Sequence, residues 1–131
     1  PEVRFEEFLE DNKEYIDWWY KNGDEGKQHY AIEYTRSDST PSTFYVDFIV
    51  RMKNGQVFLF DTKSVGSDIE APNKHNALLE YVKKQRSTPD QQLDGGIIIQ
   101  DGMNWKYCKY PISDTNDLSG WDCFYPEQYK L

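Results

Sequence analysis

Two cysteines, Cys108 and Cys123, are too few to staple a fold of 131 residues. A disulfide framework is excluded, and a reducing compartment, the cytoplasm, is the simpler setting. No apolar run approaches the roughly 20 residues that cross a bilayer, no signal-peptide pattern is visible, and no membrane partner is expected. The only two histidines, His29 and His75, have no Cys or His at metal-ligand spacing, so the chain carries no zinc signature. The phosphate-gripping pattern G-x-x-x-x-G-K-[ST] is missing, and with it any nucleotide-driven engine within these residues. Internal repeats and low-complexity segments are absent as well. Basic charge is scarce: 15 Lys and Arg stand against 23 Asp and Glu, a formal net charge of -8. That argues against a free-standing nucleic-acid binder, because such proteins neutralise phosphates with Lys and Arg.

Aromatics are plentiful at 16%, with 10 Tyr, 7 Phe and 4 Trp. They supply enough buried area for one layered core, so residues 1–131 are read as a single domain. The chain opens at Pro1 without a methionine and directly inside a helical pattern, which points to a domain excised from a larger protein.

Residues 2–20 predict an amphipathic helix, with Phe5, Phe8, Leu9, Tyr15, Ile16 and Trp19 in one stripe. It stops at Lys21-Asn22-Gly23. His29 to Thr35 alternates and predicts a strand; Ser37 to Ser42 is a polar turn. Two nearly continuous apolar runs follow, Phe44 to Met52 and Val57 to Lys63, joined by a hairpin at Asn54-Gly55. Such runs suit central strands covered on both faces. Asn73 is placed to cap a helix to about Arg86, with Ala77, Leu78, Tyr81 and Val82 inward. A polar loop from Ser87 to Gly96 leads to a short strand, Ile97–Ile99, whose hairpin partner is Asn104 to Tyr110. The last twenty residues have no assignable pattern. The order is α-β-β-β-α-β-β, an α/β fold with a mixed sheet flanked by helices.

Strand periodicity puts Asp61 and Lys63 side by side at the end of the Val57–Lys63 run, and Asp47 on the neighbouring strand. An acid in an apolar central strand costs several kcal/mol unless it is paired or metal-bound. Two acids and an amine at adjacent strand ends neutralise one another and leave a place for a cation. Hard carboxylate oxygens suit Mg2+, which keeps several waters and accepts phosphate oxygens, and a neighbouring lysine suits phosphodiester hydrolysis.

The segment FYVDFIVRMKNGQVFLFDTKS resembles the core of the PD-(D/E)xK nucleases, most closely the endonuclease domain that ends type III restriction subunits and related helicase-nucleases. EVRFEEFLEDN, WWYKN and GGIII resemble that family's flanking pattern, so the likeness spans roughly residues 2–107. The resemblance implies a restriction-endonuclease-like fold and an Mg2+-dependent DNA endonuclease in which Mn2+ can substitute. Asp47, Asp61 and Lys63 would be catalytic, with Asp47 and Asp61 as metal ligands. Val46 stands where the family usually has proline, and Asp61 where the type III group often has glutamate. The family often adds a glutamate on the first helix; Glu2 fits best, although an acid in a first turn is equally explained by the helix dipole. The implied partners are DNA and the remainder of a restriction or helicase polypeptide. The alternative is a non-catalytic nuclease-fold module used for contact alone. Lys74, Lys83, Lys84 and Arg86 are read as the wet face of the second helix, Gln85 as solvent-facing, and Trp18 and Trp19 as packing residues.

Overall fold

The computed structural model describes residues 1–23, 28–86 and 92–131. Helix α1 spans Glu2–Asp11, and a short 3-10 turn follows over Lys13–Tyr15. Strands β1 (Ile16–Lys21), β2 (Ala31–Thr35), β3 (Pro41–Tyr45), β4 (Phe48–Met52) and β5 (Val57–Lys63) come next. Helix α2 (Ala71–Gln85) crosses over to β6 (Leu93–Asp101), and β7 (Asn104–Tyr107), β8 (Asp122–Cys123) and a 3-10 turn at Pro126–Tyr129 complete the chain. The main sheet has the order β1-β4-β5-β6-β7-β8, while β2 and β3 form a separate two-stranded sheet. All neighbours in the main sheet are antiparallel except β5 and β6. A parallel pair needs a long crossover, and α2 supplies it. The architecture is mixed α/β, as expected.

The predicted helix over 2–20 is corrected to ten residues. Asn12 leaves helical geometry at φ -115°, ψ 20°, its side chain bonding back to the Phe8 carbonyl at 2.8 Å. The β-forming run Ile16–Lys21 then pairs with β4 rather than continuing the helix. Trp18, expected to pack, is 46% exposed, while Trp19 lies partly buried against the core.

The single strand predicted from Phe44 to Met52 is broken at Val46-Asp47: β3 belongs to the small sheet and β4 to the large one. The break is held from β1's end. Asn22 donates its backbone N–H to the Asp47 carbonyl at 2.8 Å and its amide to the Val46 carbonyl at 2.8 Å. The hairpin over Lys53–Gln56 is as expected, with Gly55 at φ +94°, a value L side chains rarely adopt.

Helix α2 begins at Ala71 with Glu70 as its cap residue, not at Asn73. Asn73 instead binds Glu70 (3.0 Å) and the Ser37 hydroxyl (3.1 Å), tying the β2–β3 turn to the helix. Of its predicted inward residues, Leu78 and Val82 are buried, while Ala77 and Tyr81 are partly so; Ala71 and His75 join them in the interior. Residues 87–91 of the predicted loop lie outside the described residues. Leu93–Gly96, expected in that loop, already belong to β6. Gly95 permits this: a Cβ there would sit 2.2 Å from the Leu59 carbonyl oxygen. The strand predicted at Asn104–Tyr110 stops at Tyr107.

The two sheet faces are covered differently. Under α1, Phe5 and Leu9 pack on Phe48, Val50, Met52, Phe58, Phe60 and Ile98, closed by Trp105, Tyr107 and Phe124. Under α2, Leu78 and Val82 pack on Ile49, Leu59 and residues of the small sheet. Strand β5 is therefore sandwiched along its length, and its last residues emerge beside the start of α2. Within the described residues, no helix is long and apolar enough to cross a membrane.

Candidate active site

Strand β4 pairs with β5 up to Phe48 and Phe60. One residue further, Asp47 stands opposite Asp61, but the chain turns away there and leaves the end of β5 without a backbone partner on that side. The Asp47 carboxylate takes that role. Its Oδ2 accepts the Thr62 backbone N–H at 2.9 Å and the Thr62 hydroxyl at 2.8 Å. The same carboxyl lies within hydrogen-bond reach of both Asp61 and Glu2. Glu2, in the first turn of α1, thus reaches Asp47. Glu6 is engaged by Lys21 at 2.8 Å instead, and Glu10 and Glu14 are exposed.

Asp61 is 3% exposed. Its carboxyl is pushed up to about 7, first by burial and then by the negative charge of Asp47, with Lys63 pulling the other way. Burial also raises Glu2, reinforced by its contact with Asp47. Lys63 Nζ stands 3.6 Å from Asp61 Oδ2 and 3.4 Å from Asp68 Oδ2. Burial would lower the Lys63 ammonium, but the two carboxylates outweigh it and raise it above the usual lysine value. Asp68 in turn binds Lys74 at 3.2 Å and caps the Glu70 N–H at 2.9 Å. Burial alone would raise Asp68; these bonds and the lysines hold it below the ordinary carboxylate range.

The three predicted residues Asp47, Asp61 and Lys63 therefore converge at one strand end, with Glu2 beside them. Asp68, Thr62 and Asn22 were not foreseen as supports. In the sequence Asn22 reads only as a helix stop, and Asp68 lies in a loop whose one signal is an acid three residues before a helix. Lys74, read as solvent-facing, is an ion-pair partner with Nζ 5.8 Å from the Tyr34 and Phe44 ring centres. Lys83, Lys84, Gln85 and Arg86 are exposed, as expected.

Within the described residues, no group of three or more His, Cys, Asp or Glu side chains has the arrangement of a metal cage. The donor set still fits a hard cation in one respect. Asp47 and Asp61 crowd each other's charge beside a single lysine, which leaves an excess of oxygen donors, and Mg2+ keeps most of its waters and needs only one or two carboxylates. His75 is no part of this set. It is fully buried, its Nδ1 accepting the Ile97 N–H and its Nε2 facing the Tyr110 carbonyl, both at 3.0 Å.

Comparison with protein-family models, curated proteins and solved structures gave no significant match.

Proposed function

We propose that this chain is a metal-dependent DNA endonuclease domain of PD-(D/E)xK type with a restriction-endonuclease-like fold, working within a larger restriction or helicase-nuclease polypeptide. The observation that carries the reading is the meeting of Asp47 and Asp61 at the end of β5, in carboxyl-to-carboxyl contact beside the Lys63 ammonium. Two carboxylates in one half-buried notch each raise the cost of ionising the other, and a lysine shared with Asp68 does not cancel that cost, since Asp61 stays raised.

In this reading Asp47 and Asp61 would hold Mg2+, with Glu2 to one side; Thr62 fixes the Asp47 carboxylate and Asn22 holds the Asp47 backbone. The bound cation supplies Lewis-acid stabilisation of the charge gathering on the phosphate oxygens. Lys63 stays protonated, since its carboxylate neighbours raise it. Its role is to orient the attacking water and to donate to the developing negative charge, not to remove a proton. Asp68, itself held by Lys74, also pairs with that ammonium. At a net charge of -8 the isolated chain binds DNA weakly, and a basic translocating or target-reading partner raises that affinity.

A second reading, a non-catalytic module, is favoured by one observation: Lys63 is already paired with two acids, as a structural ion network would be. The two separate in a cleavage assay on duplex DNA with Mg2+ or Mn2+. Cleavage by the wild type that is lost in Asp61→Ala supports the nuclease. Absence of cleavage by the chain joined to its native polypeptide supports the module.

A further inference from the structure

Beside Lys63 the surface opens into a cleft of about 370 Å3, lined by Pro1, Arg4, Lys63, Ser64, Val65 and Gln100. The volume falls within the range of about 300–1,000 Å3 typical of small-ligand sites. Its lining has two cationic side chains, a hydroxyl and an amide, and no carboxylate. Lys63 is already paired with Asp61 and Asp68, so among the described residues Arg4 supplies the cleft's uncommitted positive charge. Arg4 projects from the exposed side of α1. The one side-chain hydrogen bond it makes within the described residues is a long one, Nη1 to Gln100 Oε1 at 3.5 Å. A guanidinium carries five donors in a planar fork. No carboxylate of the described residues pairs with it, unlike Lys21, Arg51, Lys63, Lys74 and Lys106.

We infer that this cleft binds a backbone phosphate of the nucleic-acid strand adjacent to the phosphate at the Asp47–Asp61 notch, with Arg4 as its principal ligand. The inference rests on the nuclease reading and extends it, by stating where the strand runs. Lys63 is the link: it lines the cleft and its Nζ lies 3.6 Å from Asp61, so a strand entering the cleft arrives at the notch. Arg4 offers a bidentate fork to phosphate oxygens, and Ser64 and Gln100 offer neutral donors beside it. The contact is to the backbone, so it positions the strand and carries no sequence information.

The test is fluorescence anisotropy of the 131-residue chain with two labelled duplexes of unrelated sequence, Ca2+ replacing Mg2+ to block cleavage, from low salt upward. Arg4→Gln is expected to weaken both duplexes equally, by about tenfold. It should also make the salt dependence shallower by about 0.9 in log–log slope, the loss of one phosphate contact. Arg4→Lys should keep the slope, and thermal melting should be unchanged because Arg4 is exposed. An unchanged affinity and slope in Arg4→Gln, or no binding of either duplex by the wild type at low salt, overturns the cleft. The catalytic reading is scored separately by Mg2+ cleavage. A slope change without cleavage by the wild-type chain joined to its native polypeptide keeps the cleft and drops the nuclease; cleavage with unchanged slope and KM in Arg4→Gln does the reverse.

Discussion

His75 and Asp61 are buried on the same face of the sheet and border the same residue, Ile97: His75 accepts its N–H, and Asp61 faces it across the parallel ladder. Their environments are opposites. His75 has a partner on each ring nitrogen, a flat contact with Trp121, and a Gly96 whose hydrogen makes room for it, since a Cβ there would lie 2.9 Å from its Cε1. Burial holds it neutral, with its pKa lowered to about 4. Asp61 has no such closure. Its nearest polar neighbours are a second carboxyl and a lysine already shared with Asp68. A buried group that is fully satisfied is architecture; a buried group crowded by its own charge sign is a candidate site.

The largest difference between the two should be in activity. Asp61→Asn is expected to reduce Mg2+-dependent cleavage by at least about a hundredfold, a plasmid-nicking assay being sufficient to read it. The reverse substitution pattern should appear in stability. His75→Ala leaves a cavity and strands the Ile97 N–H and the Tyr110 carbonyl, and should cost about 3–5 kcal/mol in urea denaturation. If both variants lose stability equally, Asp61 is architecture too and the contrast fails.

Acidity sharpens the contrast in the metal-free protein. The folded-state pKa of Asp61 is raised from 3.8 to about 7, so its contribution is present below about 4 and lost as pH rises to 7, at most about 4 kcal/mol. That of His75 is lowered from 6.5 to about 4, so its contribution is present above 6.5 and lost as pH falls toward 4, about 3 kcal/mol. Between pH 4 and 6.5 the two slopes oppose each other. Asp61→Asn removes one, and its melting temperature should then climb with pH across that window while the wild type stays flatter. The same variant should be no less stable than the wild type at pH 8 in EDTA.

The smallest effect is expected at Asn22, whose amide holds the Val46 and His29 carbonyls and receives the His29 N–H at 2.7 Å. Asn22→Ala should cost about 1–2 kcal/mol and weaken Mn2+ binding more than it changes the melting profile, because it loosens the corner that aims Asp47.

The Val57–Lys63 strand, its hairpin and the Asp61–Lys63 pair were legible because they depend on alternation and on a turn dipeptide, both local signals. What escaped was set by distant partners. The β1 strand hid inside a helical stripe because Tyr15, Ile16 and Trp19 fit either period until β4 is there to pair with. The break at Asp47 is invisible in an unbroken apolar run, since Asn22 imposes it from 24 residues away in sequence. The length of β6 depends on Gly95 allowing the Leu59 carbonyl to approach, and two successive glycines read more readily as a loop. Thr62 gave no signal beyond its place between Asp61 and Lys63, and Asp68 none beyond being an acid shortly before a helix.

Calorimetric titration with Mn2+ tests the proposed site most directly, using wild type, Asp47→Ala and Asp61→Asn at pH 7.5. One binding event is expected in the wild type and none of comparable affinity in either variant. Equal Mn2+ affinity in all three would contradict the assignment of Asp47 and Asp61 as a metal-binding pair.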